Sequence, residues 1–195
     1  MSNLTPTIAS RERPLRADAA RNRAKLTAAG RDAFAQDGAS ASLEDIARRA
    51  GVGIGTLYRH FPARVDLLEA IYVDEVEALC ARAGELADLP PWEALVTWLH
   101  RFVRYVATKQ ALVEALLAHL SQDADVFRSC RAAVYEAGEP LVERAQRAGA
   151  VRADTDFNEV IQLVVGIAKI SATPREVERI LDLALDGLRY QPSSR

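Results

Sequence analysis

Around a narrow apolar stripe of Leu57 and Phe61 the chain sets Ile54, Thr56, Tyr58, Arg59 and His60, with Arg64 just beyond. An aliphatic side chain, a hydroxyl, a phenol, an imidazole and guanidiniums are groups that touch base edges and phosphate oxygens. Gly55 lies among them and carries no side chain at all. In this reading Ile54 and Arg59 stand nearest base edges. Thr56, Tyr58, His60 and Arg64 mostly hold phosphates, which position a protein without specifying sequence.

Such groups need a rigid mount. The stretch Ser42–Tyr72, SLEDIARRAGVGIGTLYRHFPARVDLLEAIY, supplies one. Leu43, Ile46, Ala47 and Ala50 recur at helical spacing and share one face. Ser42 with Asp45 three residues on fits a capping box at the start of that helix. Gly51 permits the positive φ of a sharp turn. A second helix follows, too short to stand alone in water. Leu57 and Phe61, four apart, must pin it, leaving its other faces to meet something outside the chain. In a helix-turn-helix that something is the DNA major groove. Ser42 then turns its helix N-terminus toward another phosphate.

The segment AGVGIGTLYRHFPARVDLL resembles the DNA-binding signature of the tetracycline-repressor (TetR) family of bacterial transcription regulators. By motif the resemblance spans about residues 20 to 75; beyond that only length and helical pattern agree. At two places the chain departs from the family pattern. Gly53 stands where a small hydroxyl residue usually caps the recognition helix, and Ala63-Arg64 where a polar cap and Lys are usual. Glycine is an acceptable N-cap, and arginine keeps the charge. Asp66 in the next helix's first turn partly compensates the weaker cap. The resemblance implies an all-α protein with a three-helix DNA-binding domain and a C-terminal helical domain for ligand binding and dimerisation. It implies a sequence-specific regulator, most often a repressor released from its operator by a small-molecule effector. It further implies a homodimer on a near-palindromic operator, paired through the last two helices in a four-helix interface. Val160, Val164, Ile167, Leu181, Leu185 and Leu188 are the positions expected there.

Composition agrees with this division. Of the 195 residues, 1–65 hold 11 Lys+Arg and 6 Asp+Glu, whereas 66–195 hold 14 and 21. A basic end on an acidic body suits contact with nucleic acid at that end. Cys80 and Cys130 lie far apart, with no C-x-x-C or metal spacing, and read as small buried hydrophobes. That fits a reducing cytoplasm, the expected location. The N-terminus has no apolar h-region of a signal peptide, and no apolar run approaches a membrane span. Gly51, Gly53 and Gly55 do not make a dinucleotide fingerprint: a charged helical segment precedes them, and position 56 is Thr. His60, His100 and His119 are scattered and have no cysteine or carboxylate at metal-ligand spacing. No nucleophile signature is present. The expectation is therefore no catalysis, no metal and no cofactor.

Along the chain, residues 1–17 read as a mobile basic arm whose Arg11, Arg13 and Arg16 make loose phosphate contacts or reach the minor groove. Residues 18–72 form the helix-turn-helix domain and 73–195 the effector and dimerisation domain. A first helix spans about 18–36, with Arg21, Arg23 and Lys25 near its start, where they oppose the helix dipole and invite an external anion. A fourth helix begins near Arg64 and links the two parts. Later helices are expected at about 92–108, 110–121, 123–148, 156–171 and 174–190. The segment 156–171 is apolar nearly all round and must be buried nearly all round, in its own core or partly on a symmetry mate. Trp98, Phe102 and Tyr105 form one stripe. It serves either a core or an effector pocket completed by His119, Phe127 or Tyr135, whose polar tips suit a ligand cavity. Two other functions stay open: a DNA-binding regulator without an effector pocket, and a helical interaction protein or enzyme containing a helix-turn-helix-like fold.

Overall fold

The computed structural model describes residues 9–170 and 172–189. Among them the chain is helical, save for one isolated antiparallel bridge between Val151 and Arg189. The helices are α1 (Ala9–Asp37), α2 (Leu43–Arg49), α3 (Ile54–His60), α4 (Arg64–Gly84), α5 (Pro91–Leu117), α6 (Asp125–Arg147), α7 (Phe157–Ala168) and α8 (Pro174–Asp186), with a 3-10 turn at Gly38–Ser40. The chain divides into two compact units between Ile71 and Tyr72. Helix α4 runs through the division.

The first unit packs α1, α2, α3 and the opening turns of α4. Leu26, Phe34, Ile46, Leu57, Phe61, Leu67 and Leu68 are buried in its core. Gly51 takes φ +69, the left-handed turn expected between α2 and α3. Helix α1 begins at Ala9 rather than near residue 18, so residues 9–17 of the expected arm are helical. Residues 1–8, and the side chains of Arg11, Arg13 and Arg16, lie outside the described residues. The longer helix removes the dipole argument for an external anion, because Arg21, Arg23 and Lys25 now lie mid-helix, away from the unsatisfied end. Two of the three have partners within the unit. Arg21 pairs with Asp18, and the Arg23 guanidinium stacks 4.8 Å from the centre of the Phe61 ring.

In the second unit α5 is the central helix, packed by α6, α7 and α8. It is one helix of 27 residues, not the two expected at 92–108 and 110–121. No glycine or proline stands at Thr108-Lys109-Gln110 to end it. Trp98, 0% exposed, stacks on Phe102 with ring centres 5.5 Å apart and lies 6.0 Å from Phe157. Gly138 in α6 makes that cluster possible: a Cβ there would sit 2.3 Å from Phe157 and 2.7 Å from Trp98. Helices α7 and α8 each open on a full capping box, Asp156 with Glu159 and Thr173 with Glu176. Such reciprocal caps satisfy two orphan donors at a helix start.

Candidate nucleic-acid interface and ligand cavity

Helix α3 is seven residues long and is held by Leu57, 0% exposed, and by Phe61 at its C-cap. On its outer faces Ile54 is 37% exposed and Tyr58 45%. Arg59 is exposed and folded along its own helix: Nε donates to the Gly55 carbonyl at 3.1 Å and Nη2 to the Thr56 hydroxyl at 3.2 Å. His60 is half-buried, its ring 6.3 Å from that of Phe61. A Cβ at Gly55 would meet nothing within 4 Å among the described residues. Gly53 caps α3 without a side-chain hydrogen bond.

Two expectations change at the neighbouring positions. Ser42 accepts from the Asp45 amide at 3.3 Å, but the reciprocal half of the box is missing. Its hydroxyl donates instead to Glu44 at 2.9 Å, while the Asp45 carboxylate takes Arg48 and Arg49. Those guanidiniums hold the Asp45 carboxyl below its ordinary range, Arg48 contributing most. Arg64, expected to grip a phosphate, turns into the unit. It donates to the Ala41 carbonyl at 2.6 Å and stacks 4.9 Å from the centre of the Phe34 ring, tying the start of α4 to the segment before α2 and to α1.

The second unit contains a cavity of about 540 Å³. Its walls come from α4 (Tyr72, Val76), α5 (Phe102, Tyr105, Lys109, Val113), α6 (Phe127, Cys130, Arg131, Val134, Tyr135) and α7 with its C-cap (Ile161, Val165, Lys169). Of the six residues expected around a pocket, Phe102, Tyr105, Phe127 and Tyr135 line it together. Trp98 does not; it lies against Phe102 in the core, its indole N–H without a hydrogen-bond partner among the described residues. His119 is exposed beyond the end of α5 and is not in the wall. Burial raises the Tyr72 and Tyr105 phenols, which also hydrogen-bond to each other. Tyr135 donates to Asn158 at 2.6 Å. Burial, then the neighbouring Cys80 and Glu77, pushes the Cys130 thiol up to about 11, and burial likewise raises Cys80. Lys109 pairs with Glu75 across 3.1 Å. Sequence reasoning missed Tyr72, Lys109, Cys130, Arg131 and Lys169. Continuing the stripe of Phe102 and Tyr105 by one more helical turn reaches Lys109, the one signal that pointed to it.

The six positions expected at a dimer interface are all turned inward. Val160, Val164, Ile167, Leu181, Leu185 and Leu188 are each at most 8% exposed within the single chain, so they make its own core. They belong to one buried cluster of the second unit, in which α5 packs on both α7 and α8. The opposite side of the pair carries Leu163 at 39%, Ile170 at 43% and Leu183 at 64% exposure, with Gly166 exposed between the first two. Among the described residues no group of His, Cys, Asp and Glu could hold a metal ion, and no helix is long and apolar enough to cross a membrane.

Residues 26–71 match the model of bacterial regulatory proteins of the tetR family, and residues 90–190 match the model of the SbtR-like transcriptional regulator C-terminal domain. The chain is similar to a TetR transcriptional regulator of Streptomyces coelicolor, at 42% identity over 87% of this chain and 99% of that one, with a TM-score of 0.76. A TetR regulatory protein of Mycobacterium vanbaalenii is 39% identical over 90% and 99%, with a TM-score of 0.75. Among curated proteins, the HTH-type transcriptional repressor KstR of Rhodococcus jostii is 32% identical over 74 residues, which are 38% of this chain and 35% of that protein.

Proposed function

The chain belongs to the TetR family of bacterial regulatory proteins, and from that premise we propose that α3 enters the major groove of its operator with Ile54 and Arg59 at base edges. It is a sequence-specific DNA-binding transcriptional regulator. The observation that carries the placement of α3 is its outer surface: Ile54 and Tyr58 exposed on a short helix fixed from beneath by Leu57. Tyr58, Thr56 and His60 hold phosphates beside it. Gly55 supports the same reading. It is the second residue of α3, in its first turn, and a Cβ there would meet nothing within 4 Å among the described residues; the bare backbone lets a DNA strand approach closely.

The cavity takes a small organic effector, whose binding lowers operator affinity, so the protein acts as a repressor. The effector works by its differential affinity for two states. Helix α4, which lines the cavity at Tyr72 and Val76 and begins at Arg64, carries the change. The protein is a homodimer paired through the outward face of α7 and α8, which sets two half-sites about 34–36 Å or a multiple apart.

The test is a mobility-shift titration with fragments from around the protein's own gene, at several salt concentrations. Tyr58→Ala is expected to weaken binding to all sequences alike. Arg59→Ala is expected to relax preference at one base pair by about 1–3 kcal/mol. Unchanged affinity and specificity in both variants would remove α3 from the groove.

A further inference from the structure

We infer that the cavity selects an organic anion, an apolar body with a carboxylate-class head, and that this head competes with Glu75 for Lys109. The inference rests on the reading of the cavity as an effector site and names the chemistry it accepts.

Charge at the cavity runs against its surroundings. Residues 66–195 hold 14 Lys+Arg against 21 Asp+Glu, yet the wall carries Lys109, Arg131 and Lys169 against Glu114 alone. Cations gathered on a mostly apolar surface, within an acidic unit, attract a negative group. Glu114 accepts a hydrogen bond from Gln110 at 2.9 Å, and Lys109 pairs with Glu75. Neither Arg131 nor Lys169 forms an ion pair among the described residues, and both are exposed along the wall, where an incoming anion can reach them. The rest of the wall, including Phe102, Phe127 and Val134, offers an apolar body only apolar contact.

The Glu75–Lys109 pair is the place where charge meets structure. The two side chains are 18% and 13% exposed, one on α4 and the other on α5. A pair this dry is held because either charge alone is costly. A carboxylate entering beside Lys109 gives that ammonium a second partner and places two negative groups on one cation. Like charges so close repel, and Glu75 is the one attached to α4. The Tyr72–Tyr105 hydrogen bond joins the same two helices at the same wall, so displacing Glu75 loads that bond as well. Arg131 acts on Tyr72 from α6 and steadies the incoming head. An anion is thereby read by the contacts that hold α4 to α5, whereas a neutral molecule of the same shape fills the cavity and leaves the pair intact.

The experiment uses the full chain and three probes of one length: decanoate, 1-decanol and decyltrimethylammonium. Calorimetry and tryptophan fluorescence give affinities. Displacement from operator DNA gives the response. Decanoate is expected to bind at least about tenfold tighter than 1-decanol, the range of one charge-assisted contact. Lys109→Met is expected to remove most of that preference, Arg131→Gln a smaller part of it, and Glu75→Gln to tighten decanoate by about tenfold. Glu75→Gln strands a buried lysine, so Glu75→Gln/Lys109→Met, in which neither member of the pair is left alone, is measured beside it and should keep only the smaller preference for decanoate that Arg131 supplies. Equal or weaker binding of decanoate by the wild type overturns the inference, as does an unchanged decanoate affinity in folded Glu75→Gln. Silence from all three probes also overturns it, while DNA binding, measured without them, stands. Selective decanoate binding that leaves operator occupancy unchanged upholds the anion site and sinks the effector reading instead.

Discussion

Leu181 and Leu183 lie two residues apart on α8, and a glutamate at each should do opposite things. Leu183 is 64% exposed in the single chain, while Leu181 is 0% exposed. Full burial of a leucine side chain is worth about 1.5–3 kcal/mol. The exposed 64% of Leu183 therefore holds about 1–2 kcal/mol of burial still to be gained. A two-fold interface uses the same patch on both subunits, which doubles this to about 2–4 kcal/mol per dimer. Leu183→Glu loses that gain and adds a carboxylate on each side that must be desolvated. The dimer dissociation constant should rise by about a hundredfold or more. Sedimentation or light scattering over a concentration series reads the shift, and the far-UV melting curve of the dissociated chain should keep its cooperative form. Leu181→Glu instead buries an unpaired charge in the subunit core and should unfold the chain, a loss of several kcal/mol. A Leu183→Glu protein that dimerises like the wild type would refute placing the interface on this face. So would a folded monomeric Leu181→Glu.

Other outcomes follow from single contacts. Gly138→Ala drives a methyl to 2.3 Å from Phe157, and overpacking of about 1–3 kcal/mol should outweigh the helical preference for alanine of about 1 kcal/mol, so Tm should fall. Arg64→Ala removes a charged hydrogen bond to Ala41 and a stack on Phe34, and should destabilise the first unit by about 2–3 kcal/mol in denaturant titrations. Its effect on DNA binding should track that loss, with the salt dependence unchanged. Asp154, held down to about 2 by its hydrogen bonds from Arg152, is a depressed carboxylate. Its stabilising contribution is complete above the ordinary value of 3.8 and lost as pH falls toward about 2, so Asp154→Asn should flatten the acid side of a stability–pH curve in that window.

The recognition of α2, the turn and α3 came directly from spacing, because a short helix pinned by Leu57 and Phe61 leaves few ways to arrange the rest. The register of α7 and α8 was harder. An all-round apolar segment such as 156–171 does not say which of its faces meets the subunit's own core. The choice shows only in the folded chain, where α5, α6 and α8 pack on α7, Val160 and Val164 are buried and Leu163 stays 39% exposed. Arg64 illustrates a related limit. A basic residue beside a recognition helix reads as a phosphate contact until the Ala41 carbonyl and the Phe34 ring are seen to fall within its reach. The cavity was half visible, through its aromatic residues. Its cations sit on α5, on α6 and at the C-cap of α7, so no window of sequence brings them together.

Cys130 faces the cavity with its thiol raised to about 11. At neutral pH roughly one molecule in ten thousand then carries the thiolate there, the form that attacks electrophiles and peroxides. Quinones, enals and oxidants that enter the cavity should therefore react with Cys130 slowly. An effector held there by non-covalent contacts leaves when it is diluted away, and the signal resets with it.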